Sequence, residues 1–260
     1  MQLQILLPFV TYPEPNSDAV IANAVALAAQ LEADIHGLAA NADIREAQGL
    51  SSRRGDHLLR ALRKGASAAG LGISTEEITT APALFGEATA IRARLFDLVL
   101  LGWEAGNATS RMAAEALIFD SGRPTILLPE LYEVRSIDQV AIAWNGSRVA
   151  ARAVADAHPF LEAASRIFVL TVRGDKPLLN TDIEERLVDG LRKRGFSSEP
   201  VPVNAEDCPI GVLLQERAIE LGCNLLVMGG FGHSRIREFV LGGATEDVLR
   251  DLRLPTLLSH

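Results

Sequence analysis

The chain has 260 residues, 25 Lys+Arg against 33 Asp+Glu for a formal net charge of −8, and 48% apolar residues. That balance excludes a broad basic face for nucleic acid or an anionic membrane, and no run reaches the roughly 18 apolar residues of a membrane span. The start, Met1-Gln2-Leu3-Gln4, lacks the basic segment of a secretory leader, and Cys208 and Cys223 have no metal-ligand spacing; both read as small core residues of a reducing, cytoplasmic protein.

In chain order, Gln4–Pro8 reads as an apolar opening strand and Asp18–Leu31 as a helix. A polar stretch, Asn41–Arg54, reads as mobile and precedes a long second helix. Ala88–Phe96 is helix-like, Leu98–Gly102 a buried strand, Ala113–Phe119 a helix and Thr125–Leu128 a strand. After Glu130–Ser136 the alternation begins again. Gln139–Ala143 is a short buried strand, Ser147–Ala157 an Ala-rich helix, and Arg166–Val172 a β-branched and aromatic strand. Thr181-Asp182-Ile183-Glu184 has the spacing of a capping box and opens a helix that stops at Gly195. Pro200–Val203 suits a sheet edge because proline cannot donate to a ladder. Asp207–Leu221 is a helix capped by Asp207, Leu225–Met228 an apolar strand, Ala244–Leu252 a helix and Thr256–Leu258 the last strand.

The two halves repeat. Leu98-Val99-Leu100-Leu101-Gly102 matches Leu225-Leu226-Val227-Met228-Gly229, and Arg123-Pro124-Thr125-Ile126-Leu127-Leu128 matches Leu254-Pro255-Thr256-Leu257-Leu258. Strands alternating with helices imply a parallel sheet covered on both faces, here twice, with domains at 1–130 and 137–260.

In such sheets ligands bind beyond the carboxyl ends of the strands, where the strand order reverses. The segment following Leu225–Met228 carries the chemistry. It runs from Gly229 through Gly232-His233-Ser234-Arg235-Ile236-Arg237 to Gly242-Gly243-Ala244-Thr245 and enters a helix. Gly229 and Gly232 let backbone approach a ligand closely. The amides of Gly243, Ala244 and Thr245 precede or open the helix and suit a phosphate. Thr245 adds a hydroxyl, and His233, Arg235 and Arg237 add donors and charge. Glu246 and Asp247, in the first turn, complement the helix dipole but repel an anion.

These residues resemble the universal stress protein family, whose motif G-x2-G-x9-G-[S/T] is matched by Gly229, Gly232 and Gly242. Ala143-Trp144-Asn145-Gly146-Ser147 resembles the exit of the family's first strand, and Leu254-Pro255-Thr256-Leu257-Leu258 its last strand. The resemblance covers the chain as two copies; the specific motif lies only in the second. It implies two tandem flavodoxin/Rossmann-like α/β domains, each a five-stranded, mostly parallel sheet with helices on both faces. It implies a cytosolic stress-response protein that binds an adenine nucleotide, ATP, or phosphate. Mg²⁺ is compatible with bound ATP. By position, Ala143, Trp144 and Asn145 would line the ribose and adenine side and Val172 would contact adenine. Met228, Gly229, Gly232 and His233 would border the ribose and phosphates, and Gly242, Gly243, Ala244 and Thr245 would hold the phosphates. Two positions depart from the ATP-binding pattern. Asn145 stands where a carboxylate is usual, and Gly243 where a hydroxyl is usual.

In the first half Trp103-Glu104-Ala105-Gly106-Asn107 follows Gly102, and no glycine pair precedes the next helix. That domain is expected to hold no phosphate. No catalytic set and no metal set is expected, so slow ATP hydrolysis or self-phosphorylation at Ser234 or Thr245 is the enzymatic alternative. A further alternative is an interaction protein with a decayed nucleotide site. A serine hydrolase fits less well: Gly232-His233-Ser234-Arg235-Ile236 lacks the last glycine of a nucleophile elbow, and Asp247 and His260 follow too closely. The expected partners are the nucleotide and a protein of unknown identity, with no nucleic acid and no membrane; a homodimer is compatible with the sequence.

Overall fold

The computed structural model describes residues 2–134, 136–173, 182–205, 208–231 and 243–260. The chain divides into two compact units, Met1–Ser136 and Ile137–His260. The first unit runs β1 (Gln4–Val10), α1 (Asp18–Gln30), β2 (Asp34–Ala42), α2 (Gln48–Ala68) and β3 (Ile73–Thr80). After a 3₁₀ turn at Pro82–Leu84 come α3 (Phe85–Ala93), β4 (Leu98–Trp103), α4 (Ala108–Asp120) and β5 (Thr125–Pro129). Its strands lie in the order β3-β2-β1-β4-β5, all pairs parallel. β4 and β5 are buried along their whole length, which is why they read as unbroken apolar runs rather than alternating ones.

The second unit runs β6 (Gln139–Ala143), α5 (Arg148–Asp156), α6 (His158–Ala163), β7 (Arg166–Arg173), α7 (Ile183–Lys193) and β8 (Ser198–Asn204). Then come α8 (Ile210–Glu220), β9 (Leu225–Gly229), α9 (Ala244–Arg250) and β10 (Thr256–Ser259). The order β8-β7-β6-β9-β10 is again parallel throughout. Each unit is thus an α/β domain whose strand order reverses once, at β1/β4 and at β6/β9. β8, with Pro200 and Pro202, ends its unit's order on the far side of β7.

One glycine in each unit lets a helix press on the strand at the reversal. A Cβ on Gly102 would come within 2.7 Å of Val20 Cγ2 on α1. On Gly229 it would come within 2.6 Å of Val149 Cγ2 and 2.7 Å of the Ala150 amide nitrogen on α5. A larger side chain would have to displace the Val20 and Asn16 side chains at Gly102, and the α5 backbone itself at Gly229.

Several boundaries differ from expectation. β1 continues through Pro8 to Val10: its register with β4 covers Ile5 and Leu6, so Pro8 lies beyond that ladder while still registering with Leu38 of β2. The polar stretch Asn41–Arg54 spans the end of β2, the connection at 43–47 and the start of α2. There the Ser51 hydroxyl accepts from the Ala42 amide. α7 opens at Ile183, and Thr181 lies outside the described residues. Glu184 makes its contact with Arg173 of β7, not back along its own helix as a capping box would. α8 begins at Ile210 after Pro209, with Asp207 outside the described residues. Its Gly211 amide donates instead to Asp247 Oδ2, at 3.2 Å. α9 stops at Arg250, where the buried Gln215 side chain bonds both Asp251 O and the Arg253 amide at 2.8 Å. No helix among the described residues is long and apolar enough to cross a membrane.

Candidate functional site

The ends of β6 and β9 form the reversal of the second unit, and the described residues of the expected site lie at the ends of β6, β7 and β9 and at the start of α9. β6 delivers Ala143, half-buried at its last position, followed by Trp144 and Asn145. The Trp144 amide continues the ladder to Leu170 O at 2.8 Å. Its indole N–H donates to Ile183 O at 3.1 Å, so the ring is held against the opening of α7. Asn145 is exposed, and its Oδ1 accepts from the Ser147 amide at 3.0 Å. Gly146, at φ +73°, closes this turn in the left-handed region that glycine enters freely. Ser147 caps α5, its hydroxyl accepting from the Ala150 amide. Val172 is half-buried near the end of β7.

From β9, Met228 is buried and Gly229 carries the close approach of α5. Gly232, His233 and Gly242 lie outside the described residues, as do Ser234, Arg235 and Arg237. The described flanks of that segment are tied together: the Phe231 amide donates to the Thr245 hydroxyl at 3.1 Å. Thr245 is 6% exposed, so its oxygen already serves the chain's own backbone. Gly243 precedes Ala244 as the N-cap of α9 without a side-chain cap, and a Cβ there would meet no atom of the described residues within 4 Å. The Asp247 carboxylate is buried on Gly211 of α8. The repulsion expected from it at the start of α9 is therefore tempered by its bond to another helix.

His260 Nδ1 lies 3.0 Å from Gly230 O, and the Gly230 amide donates to Ser259 O. With Asp247 on Gly211 and His260 on Gly230, both downstream residues that a hydrolase reading would need have structural contacts. Among the described residues no group of three or more His, Cys, Asp or Glu could hold a metal ion.

The first unit is arranged differently at the same topological place. The sequence reading missed Asn107, whose Oδ1 accepts from the Thr109 and Ser110 amides at 3.0 and 3.1 Å. Its residue type immediately before a helix was the available signal. The Thr11 hydroxyl donates to Ala40 O at 2.8 Å and lies 2.6 Å from Ser51 Oγ. A cavity of about 10 Å³ beside Thr11, Ala40 and Thr109 approaches the lower limit for one water and is far below a nucleotide.

No family model matches the chain. A universal stress protein of Synechocystis is 28% identical over 179 residues, 62% of this chain and 57% of that relative, so the match spans a little over half the relative's length. A universal stress protein from Archaeoglobus fulgidus superposes with a TM-score of 0.76 at 16% identity, covering 99% of this chain and 96% of that one. A Pseudomonas aeruginosa structure provisionally assigned to the same family gives 0.64 at 16% identity, covering 99% and 93%. The two structures share the α/β fold of this chain over nearly its whole length. The Synechocystis relative is a member of the family that the glycine spacing of this chain resembles.

Proposed function

We propose that the second unit binds an adenine nucleotide, ATP, at the carboxyl ends of β6 and β9, and that the protein is a cytoplasmic stress-response factor that works by binding rather than by fast turnover. The observation that carries this reading is the position of Gly229-x2-Gly232-x9-Gly242: it starts at the last residue of β9, where the strand order reverses. Among the described residues the backbone is open at Gly243, and Gly243 cannot supply the side-chain cap that Asn107 supplies to α4. Mg²⁺ would arrive on the phosphates, since the described residues offer it no ligand cluster.

Gly243→Val is the informative variant. Its Cβ meets no atom of the described residues within 4 Å, and the backbone at φ −99° and ψ 164° accepts any residue. Calorimetric titration with ATP is expected to show binding to the wild type and none to Gly243→Val, with both proteins melting within a few degrees of each other. Equal affinities would sink the assignment. ATP turnover well above about one per second, inside the ordinary enzyme range, would refute the binder reading.

A further inference from the structure

We infer that the outer edge of β3 pairs with the same strand of a second copy of this chain, antiparallel and about a two-fold axis at Glu76. The inference is independent of the nucleotide reading. The first unit is described throughout except at residues 1 and 135, and β3 ends its strand order beyond β2. Toward β2, the Gly72 carbonyl accepts from the Ile35 amide and the Thr80 carbonyl from the Asp43 amide, both at 2.9 Å. Backbone groups alternate sides along a strand, so the amides and carbonyls of Ile73, Thr75, Glu77 and Thr79 point away from the sheet. Among the described residues none of them has a hydrogen-bond partner. Such a row is a template for another strand.

The edge of the second unit is closed by comparison. In β8 the Ser197 carbonyl accepts from the Ile167 amide and the Ala205 amide donates to Arg173 O. The outward positions are therefore Ser198, Pro200, Pro202 and Asn204, and proline removes the two central donors that an incoming strand would need. β3 contains no proline.

The charges on β3 select a second copy and its register. Arg63 of α2 donates to the Thr75 hydroxyl at 2.5 Å, which places Thr75 on the α2 face of the sheet. Glu77, two residues on, shares that face and is exposed. With the axis at Glu76, Thr75 of each copy lies opposite Glu77 of the other, so each Arg63 meets a carboxylate. The arrangement is self-complementary, as a two-fold contact requires. Moving the axis to Glu77 sets that residue against its own copy, and moving it to Thr75 brings the two Arg63 side chains together. The chosen register does place Glu76 opposite itself, which is unfavourable, but each Glu76 is already held by its own Arg92 at 2.9 Å.

The test is analytical ultracentrifugation of the full chain over a concentration series. Two paired strands make a small interface of the weak, transient class, so the series extends to high micromolar protein. The wild type is expected to approach twice 27.9 kDa as concentration rises. Thr75→Pro, which copies the β8 pattern at an outward position, should lose the dimer. Glu77→Arg and Arg63→Glu should each weaken it about tenfold or more, and the double variant Arg63→Glu/Glu77→Arg should restore it. Thermal melts establish that each variant is folded, and the charge exchange at two exposed positions carries the test without the proline variant. A chain that stays monomeric at every concentration overturns the inference and leaves this edge to a strand of another protein. A dimer indifferent to the folded variants, or a double variant no tighter than the single ones, overturns it as well.

Discussion

His36 lies on β2 with its ring centroid 5.0 Å from that of Phe96, its Nδ1 2.7 Å from the Ser74 hydroxyl and its Nε2 3.8 Å from Glu76. Glu76 is in turn held by Arg92 at 2.9 Å. Burial lowers the imidazole pKa below its usual 6.5, and the Glu76 charge opposes that only in part. The unfolded chain therefore binds the proton more readily than the folded one. The contribution of neutral His36 is fully present above about pH 6.5 and is withdrawn as pH falls through and below that value. Thermal melts between pH 5 and 7.5 should show a steeper acid loss for wild type than for His36→Gln, whose side chain does not titrate. Parallel profiles would show that this histidine has no part in the pH response. Burial acts on the Cys223 thiol in the same manner, pushing it up to about 12. Its role as a core residue was legible from its type; Cys208, half-buried, fits that reading less well.

At the scale of elements, the repeat was readable because buried parallel strands leave an unmistakable pattern: four apolar residues and then a glycine, at Gly102 and again at Gly229. The glycine marks contact with a helix, and the contact predicts its own sensitivity. Gly102→Ala must displace the Val20 and Asn16 side chains, and Gly229→Ala the α5 backbone, each within 3 Å of the new Cβ. Each should cost about 1–3 kcal/mol, the usual range for overpacking a tight interface, measured by urea denaturation. A neutral effect at both would mean that α1 and α5 yield freely. Helix ends were less legible, for a physical reason. Asp247 serves α8, and Gln215 closes the end of α9, each across 36 residues of sequence. A local pattern such as Asp207 ahead of a helix, or Thr181 ahead of Glu184, cannot reveal a cap that comes from another element.

For the whole molecule, two units of one fold differ at their strand reversals, the second alone carrying the full glycine motif. Nothing in composition announced that the first closes its own polar groups, because Asn107, Thr11 and Ser51 act through contacts formed only on folding. The expected outcome of an ATP titration is a stoichiometry of one nucleotide per chain. A value of two would place nucleotide in the first unit as well and would contradict its reading as a unit without a phosphate site.

Asn107 also has a meaning in terms of competition. Its side-chain oxygen is an acceptor permanently tethered beside the first amides of α4, accepting from two of them at once. Even a short flexible tether sets an effective concentration on the order of millimolar, and a side chain one bond from the backbone roams less than that. A dissolved anion seeking those amides faces a rival that cannot diffuse away or be diluted. In the second unit, Gly243 has no side chain to act as such a rival at the start of α9.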